Sequence, residues 1–562
     1  MAGGVVVMQE CAAPRPSLPR ETAIVSSTHR GEVTSRSPFA PFRHRVFLWL
    51  WLGVVISSIG TWGQTVGAQW LFVNDANAAT IVPLVQTAST LPMMVLALPA
   101  GVLADAFDRR LMMLAVQTYV VVVAVLLAVL TALDLMRPAL LLGFVFAAGA
   151  GMAMNSPTWQ SLITELVPRG EVAAATRLDM VSVNVSRAAG PAIAGFVIAL
   201  WGVPPVFALN AVATTFLIAV LLLWRRPVEV QSDRERFLPA LRAGGRYVRH
   251  EPVIRTMLLR FVTFVFPAGA VWALLPLIAS RQLSADAGGY GLLFSALGVG
   301  AVVGALGLGM IKQHLTSNTV LAAAAAVFGL AFAGLAFTSS IWVAIPLLVV
   351  CGFAWSSSVA TVTAELQLFL PGWVRARGLG ILLMVFLGTQ AVAAPLWGLA
   401  VQYFGIPAAL LAAAAMLGVS TALIGVLRVP DSHELDRSPL AYWDTPRFIL
   451  EPEPTSPVVV SIRYEVDEAS QAGFLSDMRS MRRSRLRSGA IRWEIYRVGE
   501  NPRMFVEQFE VASWQEHERQ HDGRLTLEDK RIEDATFAHI VGHPHPEHLL
   551  PADATARAAP GS

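Results

Sequence analysis

The chain has 562 residues, of which 55% are hydrophobic and 14% are charged, and its mean hydropathy is +0.56. Soluble domains carry about 25% charged residues, so the composition excludes a wholly soluble enzyme and predicts an integral membrane protein. The net charge of +3 comes from arginine, since Lys312 and Lys530 are the only lysines. We attribute it to membrane topology rather than to nucleic-acid binding.

Residues 1–45 contain arginines and no apolar core followed by a cleavage site, so they predict a disordered cytoplasmic tail and no signal peptide. The two cysteines, Cys11 and Cys351, lie in this tail and in an apolar run. They can form neither a disulfide framework nor a metal cluster.

From residue 46 onward, apolar runs long enough to cross a hydrocarbon core of ~30 Å follow one another with short polar breaks. They predict an all-α membrane domain of twelve helices, with six in an N-terminal half (46–224) and six in a C-terminal half (254–427). The expected helices are 46–73, 79–104, 111–133, 138–165, 179–201, 204–224, 254–280, 288–311, 317–338, 341–366, 376–402 and 406–427.

A charged linker at 225–253 joins the two halves, as in transporters built from parallel repeats. Its residues Leu238, Leu241 and Tyr247 are spaced for an amphipathic segment that lies on the membrane surface. A solvated, charged connector is the alternative interpretation.

Basic residues are concentrated in every second loop, which indicates that these loops are cytoplasmic. With the N-terminus cytoplasmic, the loops on the other side of the membrane hold only Arg137 and Arg281. Both ends of the membrane domain are then cytoplasmic. The cytoplasmic loops then hold Arg109, Arg110, Arg169, Arg177, Lys312, Arg375 and Arg377.

Polar residues recur at helical spacing in the first predicted helix, and such a stripe must face protein or water rather than lipid. The stripe either lines a cavity or forms hydrogen bonds between helices. Our candidates for a polar path are Thr61, Gln64, Gln69, Gln86, Asn155, Trp159, Gln160, Asn184 and Gln390.

Arg187 lies inside the fifth predicted helix, about eight residues from its start. A charge in a membrane helix is costly unless it faces a cavity or a partner. We therefore favour a cavity or interhelical role. The alternative is that the side chain reaches the cytoplasmic interface.

The loop after the second predicted helix contains an aspartate and an arginine four residues apart, which can pair on one helical face. The stretch resembles the corresponding loop of the major facilitator superfamily, Gly-x-x-x-Asp-(Arg/Lys)-x-Gly-Arg-(Arg/Lys). Ala106 and Asp108 depart from that pattern. The matching residues are Gly101, Asp105, Arg109 and Arg110.

In the resembled family this aspartate pairs with the loop arginine and with an acid that ends helix 4. The resemblance implies a gate of Asp105, Arg109 and Glu165 that holds an outward-open state closed at the cytoplasmic side. Asp105 would also face the positive N-terminal end of the eleventh helix.

The fifth helix carries Arg187, Gly190, Pro191 and Gly195. This run resembles the Gly-Pro signature of drug antiporters in the same superfamily, which favours export. A packing kink without directional meaning is the alternative, because proline bends a helix and glycine admits a close neighbour.

Several motifs resemble the enterobactin-exporter group, whose members are often labelled transmembrane secretion effectors. The likeness covers roughly residues 43–430. It implies a secondary exporter of small drug- or siderophore-like molecules at the inner membrane, with protons as coupling ion and lipid around it. The motifs include Ser58-Ile-Gly-Thr61-Trp62, Asn155-Ser-Pro157-Thr-Trp159-Gln160 and Asn184-Val-Ser-Arg187-Ala-Ala-Gly-Pro191.

After a proline-rich linker at 428–456, residues 457–545 predict a small cytoplasmic α+β domain. Strands are expected at 458–466, 491–498 and 504–511, with helices after Asp467 and Ser513. The order resembles ferredoxin-like domains of the dimeric α/β-barrel group, some of which are monooxygenases, and implies possible dimerisation. Residues 546–562 are expected to be a disordered tail.

Histidines in this region admit two interpretations. His517 and His521 could bind a metal at i, i+4 spacing, but we favour a solvated helix face and predict no metal or other cofactor. His543, His545 and His548 lie among prolines and are expected to be disordered. Trp493 and Trp514 either line a pocket or belong to the core.

We thus predict a transporter rather than an enzyme. No catalytic residues are expected, and no Gly-x-x-x-x-Gly-Lys-(Ser/Thr) motif is present for ATP hydrolysis. No carboxylate lies clearly at mid-membrane, so the proton carrier is not identified. An importer on the same fold and a membrane-anchored, monooxygenase-like enzyme are the alternatives.

Overall fold

The computed structural model describes residues 39–106, 108–224, 237–429, 440, 443 and 453–552. The side chains of residues 97, 98, 100–106, 157, 169 and 237–243 lie outside this description. Most of the predicted N-terminal tail is therefore not described. Its last residues are folded, because Ala40–Arg43 form a short 3₁₀-helix and the ring of Phe42 packs 5.0 Å from that of Trp51.

Six helices form the N-terminal half. The fifth begins at Val172 instead of the expected residue 179, which places Arg187 near the middle of this 30-residue helix. The six helices are α1 (Arg45–Trp70), α2 (Ala78–Ala106), α3 (Arg109–Ala132), α4 (Pro138–Leu166), α5 (Val172–Trp201) and α6 (Pro204–Leu223).

The linker contains a seventh helix, α7 (Phe237–His250), and the C-terminal half follows it. The expected helix at 254–280 is interrupted at Gly269 and ends in a π-helical turn, Ile278–Gln282. The helices of this half are α8 (Pro252–Ala268), α9 (Ala270–Leu277), α10 (Ala287–Lys312), α11 (Ser317–Phe337), α12 (Ile341–Phe369) and α13 (Gly372–Ala422).

Within the described residues, eleven helical runs are long and apolar enough to cross a membrane. The last run, Gly372–Gly425, has 54 residues, and at ~1.5 Å per residue it is far longer than a ~30 Å hydrocarbon core requires. Gly405 has φ 81° and ψ 167°, which are not helical values. Two helices therefore meet at Gly405, and counting them separately gives the twelve that the sequence predicts.

The outer surface of the bundle is apolar. Leu223, Leu330, Phe337 and Trp342 are each more than 70% exposed. Apolar surface of this extent requires a non-aqueous surrounding, so these side chains are suited to contact lipid.

The two halves pack through glycines where α5 meets α10 and where α2 meets α13. A Cβ atom at Gly195 would lie 2.8 Å from the Cα of Gly291, and one at Gly398 would lie 2.5 Å from the carbonyl oxygen of Ala79. Only small residues permit such close approach of two helices.

One end of the bundle, which we call the arginine end, carries Arg109, Arg110 and Lys312. The opposite end carries Asp75 and Arg281, where the Arg281 guanidinium donates to the carbonyl oxygen of Asp75 at 3.1 Å. This contact joins the two halves at the opposite end.

A four-stranded antiparallel sheet forms the C-terminal domain. Its strand order is β2-β3-β1-β4, the order of a ferredoxin-like βαββαβ fold. Its elements are β1 (Val458–Val466), α14 (Gln471–Ser488), β2 (Ala490–Arg497), β3 (Met504–Val511), α15 (Trp514–Arg519), α16 (Leu527–Phe537) and β4 (Ile540–Leu549).

The domain's core lies between one sheet face and the helices. Val458, Val460, Ile462, Tyr464 and Val466 of β1 are all buried. Val459, Arg463 and Glu465 between them are more exposed, which places the five buried residues on one face of the strand, as the sequence predicts.

Strand β4 corrects two sequence-based expectations. His543, His545 and His548, which we expected to be disordered, all lie in it, and the domain extends past the expected boundary at 545. The prolines at 544 and 546 hide this strand in the sequence. They are tolerated because β4 is an edge strand, where a missing N–H removes no central ladder bond.

Helix α7 excludes the solvated connector, since it packs between the membrane helices and the C-terminal domain. Tyr247 is 2% exposed and its ring packs edge-on against that of Trp373 at 5.6 Å. The Tyr247 face of the helix therefore contacts protein rather than solvent, and its position on the membrane surface stays a prediction. Leu238 and Leu241 lie outside the described side chains.

Candidate functional site

A cavity of about 240 Å³ lies among helices α1–α6. Its polar wall comes chiefly from α1, and α2, α3, α4 and α6 each add at least one amide or hydroxyl group. The polar lining residues are Ser57, Ser58, Thr61, Gln64, Thr65, Gln69, Gln86, Ser89, Gln117, Asn155 and Asn210.

Five of the nine predicted path residues line this cavity. They are Thr61, Gln64, Gln69, Gln86 and Asn155. Asn155 accepts a hydrogen bond from the side chain of Gln117 at 2.8 Å, which fixes its amide at the cavity wall.

The other four path residues lie elsewhere. The indole of Trp159 donates to Asp179 at 2.8 Å, and the Asn184 amide donates to the carbonyl oxygen of Met180 within its own helix at 2.8 Å. Gln160 is exposed. Gln390 belongs to the C-terminal half, and its side-chain oxygen lies 3.5 Å from the amide nitrogen of Gln86.

Asn210 is a cavity residue that our sequence reasoning missed. Its side chain is fully buried in α6 and donates to the side-chain oxygen of Gln64 at 2.7 Å. One turn further, Thr214 pairs with Ser57 at 3.0 Å. A lone amide in an otherwise apolar helix is the signal that could have identified Asn210, because burying it requires a partner.

Gln69 connects the cavity wall to the C-terminal half. Its amide nitrogen donates to the carbonyl oxygen of Trp272 at 3.3 Å, and the Tyr290 hydroxyl donates to its oxygen at 2.5 Å. The rings of Trp70 and Tyr290 stack at 5.4 Å beside this contact. The polar stripe of α1 therefore both lines a cavity and forms interhelical hydrogen bonds.

Arg187 faces helix α1. Its guanidinium carbon lies 5.4 Å from the centre of the Trp62 ring, within the range of a cation–π contact. Its Nε is buried without a hydrogen-bond partner, and no carboxylate among the described residues forms an ion pair with it. Trp62 also lines the cavity, so Arg187 lies directly behind the cavity wall.

The glycines and proline that follow Arg187 lie in helix contacts. A Cβ at Gly190 would lie 2.7 Å from the Cβ of Trp62, and one at Gly291 would lie 2.5 Å from the carbonyl oxygen of Pro191. With Gly195, these residues bring α5 against α1 and α10. The geometry thus gives this motif a packing role.

At the arginine end, two of the predicted gate residues form an ion pair. The Arg109 guanidinium donates to Glu165 at 2.8 Å and to the carbonyl oxygen of Ser161 at 3.2 Å. Arg110 instead donates to the carbonyl oxygens of Leu221 and Leu222 at the end of α6. The side chain of Asp105, and any role of Gly101, fall outside the described side chains.

The second half contains a matching ion pair. Lys312 donates to Glu365 at 2.6 Å, and the Ser317 hydroxyl donates to the same carboxylate oxygen at 2.5 Å. Glu365 lies near the end of α12 as Glu165 lies near the end of α4, whereas Lys312 ends α10 and Arg109 begins α3. Each ion pair lies within one half rather than between the two halves.

Asp179 in α5 accepts hydrogen bonds from neutral groups. Its Oδ1 lies 2.8 Å from the Trp159 indole nitrogen and 3.5 Å from the Ser182 hydroxyl. Among the ion pairs of the described residues, none involves this carboxylate. It therefore differs from Glu165 and Glu365, which have cationic partners.

The core of the C-terminal domain contains a buried arginine. Arg485 is 1% exposed and donates to Glu507 at 3.2 Å and to Glu533 at 2.5 Å. Tyr464 donates to the same Glu507 at 2.6 Å, and its burial together with this carboxylate raises the pKa of Tyr464 well above its ordinary value. Trp493 also donates to Glu507, so this tryptophan belongs to the core.

Three histidines converge in this domain. His517 is 1% exposed, so the predicted solvated face is wrong for this residue, and the ring of Trp514 packs 5.3 Å from it. Burial lowers the pKa of His517 to about 3 and that of His548 to about 4. Both imidazoles are therefore neutral at pH 7.

Ionic contacts attach the domain to the arginine end. The buried guanidinium of Arg487 donates to Glu251, at the start of α8, and to Asp529, each at 2.7 Å. Glu516 accepts from Arg246 of α7 at 2.5 Å, and the guanidinium of Arg524 lies 4.9 Å from the centre of the Trp373 ring.

Comparison with known proteins gives the same fold over most of the chain. The family described as transmembrane secretion effector matches residues 36–554. A bacterial homologue of the human lysosomal transporter Spinster, solved inward-facing and unoccupied, has a TM-score of 0.55 at 14% identity and covers 69% of this chain and 97% of its own. A transporter of the POT family has a TM-score of 0.56, also at 14% identity. That alignment covers 68% of this chain and 96% of the POT-family chain.

Curated relatives include exporters and siderophore transporters. The staphyloferrin A transporter of Staphylococcus aureus is 21% identical over 50% of this chain and 70% of its own. A multidrug efflux pump of Mycolicibacterium fortuitum is 25% identical over 65% of this chain and 91% of the pump. The enterobactin exporter of Salmonella typhi is 28% identical over 47% of this chain and 62% of the exporter.

Proposed function

Because the chain belongs to the transmembrane secretion effector family of the major facilitator superfamily, and is thus a multi-pass membrane transporter, we propose that it exports small molecules. The proposed substrates are drug-like or siderophore-like, as the names of its relatives indicate. The proposed mechanism is alternating access, with the cavity exposed first to one side of the membrane and then to the other.

The cavity among α1–α6 carries this proposal. Its volume of about 240 Å³ approaches the range of about 300–1,000 Å³ that is typical of small-molecule sites. Amides and hydroxyls on an otherwise apolar wall suit an amphipathic molecule, because they orient it without demanding a charge. Gln64 and Asn155 are the side chains that we expect to contact substrate first.

The positions of the contacts between halves support alternating access. Thr80 and Gln402 are hydrogen-bonded at 3.1 Å across the halves, close to the contact of Arg281 with Asp75 at the opposite end. These two contacts hold the halves together at the opposite end. Closure at that end fits a cavity that opens toward the arginine end.

We further propose that the arginine end and both chain ends are cytoplasmic and that the membrane is the inner membrane. Basic residues in alternate loops support this orientation. A cavity that opens toward the arginine end would then load substrate from the cytoplasm, as export requires.

Proton antiport is the proposed source of energy, and Asp179 is our candidate proton carrier. A carboxylate bonded only to an indole and a hydroxyl can gain a proton without breaking an ion pair. Glu165 and Glu365 would have to release Arg109 or Lys312 first.

The test uses inverted membrane vesicles from a host that lacks its own exporters, with the full chain and with an empty vector. A catecholate siderophore, a macrolide and a cationic dye are offered after an inside-acidic pH gradient is imposed. Uptake of at least one compound into the vesicles, abolished by a protonophore, is expected. Accumulation in whole cells without uptake by inverted vesicles would instead identify an importer.

A further inference from the structure

Three histidine side chains of the C-terminal domain meet at their Nε2 atoms. The Nε2 of His517 lies 3.0 Å from that of His548 and 3.3 Å from that of His521. One ligand atom from each of the three can be chosen so that all lie within 4.8 Å of one another. No other part of the described chain brings three possible metal ligands of this kind so close together.

The fold holds these residues on two separate elements. His517 belongs to α15, His521 follows one turn later in a π-helical turn (Gln520–Arg524), and His548 lies near the end of β4. His521 and His548 are partly exposed, which leaves a path by which an ion can reach the buried His517.

A chain of hydrogen bonds fixes the tautomer of His517. The Ser488 hydroxyl donates to the carbonyl oxygen of Arg485, so its oxygen is available to accept from the Gln520 amide nitrogen at 3.3 Å. This turns the Gln520 oxygen toward His517, whose Nδ1 lies 2.8 Å away and donates to it. The Nε2 of His517 therefore carries a lone pair that points at the other two rings.

Without an ion, this one lone pair can accept a well-directed hydrogen bond from only one of the two neighbouring Nε2 atoms, although both lie within 3.3 Å of it. A metal ion removes the conflict, because all three Nε2 atoms then donate their lone pairs to it. A ligand whose second nitrogen is held by a hydrogen bond, as His517 is by Gln520, is the usual arrangement at metal sites.

The observed spacing also suits a metal. Zn²⁺–N bonds of 2.0–2.1 Å in tetrahedral geometry place two ligand nitrogens about 3.3 Å apart, and the measured separations from His517 are 3.0 and 3.3 Å. We propose that His517, His521 and His548 bind one divalent transition-metal ion of the Zn²⁺ class. Imidazole suits Zn²⁺ and its neighbours in the first row, and three protein ligands leave a fourth position for water or an anion.

The test uses the full chain purified in detergent without a histidine tag and stripped of metal with a chelator. Zn²⁺ is titrated in competition with a chromophoric chelator, and Co²⁺ is followed by its visible absorption. One ion per chain is expected, with the Co²⁺ spectrum of a four-coordinate site. A chain that binds neither ion would overturn the proposal.

Substitutions then assign the ligands. His521→Ala and His548→Ala should each weaken Zn²⁺ binding by about 100-fold or more. His545→Ala is the matched control, since His545 lies on the same strand as His548 but is exposed, and it should bind as the wild type does. Equal affinity in all three variants, or loss in the control alone, would contradict the assignment.

X-ray absorption of the Zn²⁺-loaded wild type provides a second measurement that needs no folded variant. Three imidazole nitrogens at about 2.0–2.1 Å are expected around the ion. Fewer than three would overturn the site even if the substituted chains failed to fold.

Discussion

The guanidinium of Arg187 in α5 lies over the indole ring of Trp62 in α1, 5.4 Å from its centre. This contact places a permanent charge behind the wall of the cavity that Trp62 lines. A desolvated cation–π contact of this kind contributes about 2 kcal/mol. The charge is thus held by an aromatic face directly behind the cavity wall.

We expect Arg187→Ala to abolish efflux while the amount of protein in the membrane stays unchanged. The charge is lost next to the cavity, whereas the glycine contacts of α5 remain. Arg177→Ala is the matched control, because Arg177 is an exposed arginine on the same helix. Efflux from cells at equal membrane expression is the measurement, and normal efflux in Arg187→Ala would remove Arg187 from the mechanism.

The gate yields a second prediction. Glu165→Gln keeps the size of the side chain but removes the ion pair with Arg109. Such a partly solvated pair contributes ~1 kcal/mol, and a pair that forms in only one of the two transport states shifts their equilibrium about fivefold. We expect slower efflux with little change in apparent substrate affinity.

Cysteine accessibility at the arginine ends of α2 and α13 measures the shift between the two states. Asp105→Asn, proposed from the sequence, should have the same effect if Asp105 joins the pair. Charge exchange in the double variant Arg109→Glu/Glu165→Arg should restore part of the rate. A double variant no better than Glu165→Gln alone would show that the pairing itself is unimportant.

The buried amide pair in the N-terminal half predicts a stability effect. Asn210→Leu leaves the Gln64 amide unpaired inside the bundle, and a buried polar group left without its partner costs about 1–3 kcal/mol. The melting temperature in detergent should fall. In the double variant Gln64→Leu/Asn210→Leu both polar groups are removed, so much of the loss should be recovered. Additive losses would contradict the pairing.

The attachment of the C-terminal domain is expected to depend on Arg487. Arg487→Gln leaves the Glu251 and Asp529 carboxylates buried without this guanidinium, and breaking a buried pair costs about 3–5 kcal/mol. Limited proteolysis should release the domain much faster. Arg492→Gln, at an exposed arginine of the same domain, should leave the rate of release unchanged.

Acid should weaken the same region. Burial by itself would raise the pKa of Asp529, but the Arg487 guanidinium and hydrogen bonds from Ser484 and Thr526 outweigh burial and hold the pKa below its ordinary value. A lowered folded-state pKa contributes stability above the unfolded-state value of about 3.9, and that stability is lost as pH falls through the folded-state pKa. Unfolding of the domain, followed by tryptophan fluorescence below pH 4, should become less acid-sensitive in Asp529→Asn.

Much of the fold can be predicted from the sequence, because each membrane helix corresponds to a long apolar run. The meeting of Arg109 with Glu165 was expected only from the family resemblance, because the two residues are 56 positions apart and no local pattern joins them. Asn210 was missed because a single amide in an apolar helix forms no repeating pattern of polar residues. Strand β4 was missed because Pro544 and Pro546 normally exclude strands and only its position at the sheet edge admits them.

The three-histidine cluster could not be predicted from spacing alone. His517 and His521 are one helical turn apart, but His548 joins them only because β4 pairs with β1. That pairing connects residues far apart in the chain, and no local pattern encodes it.

The attachment points of the C-terminal domain have a mechanical consequence. Glu251, Trp373 and helix α7 belong to the second half or to the linker that leads into it. In a transporter whose halves rock against each other, the domain therefore moves with the second half and acts as a lever that projects from it. The distance between a fluorophore on the domain and another on the first half would therefore change with the rocking angle. The change in distance is larger the further the domain projects from the second half.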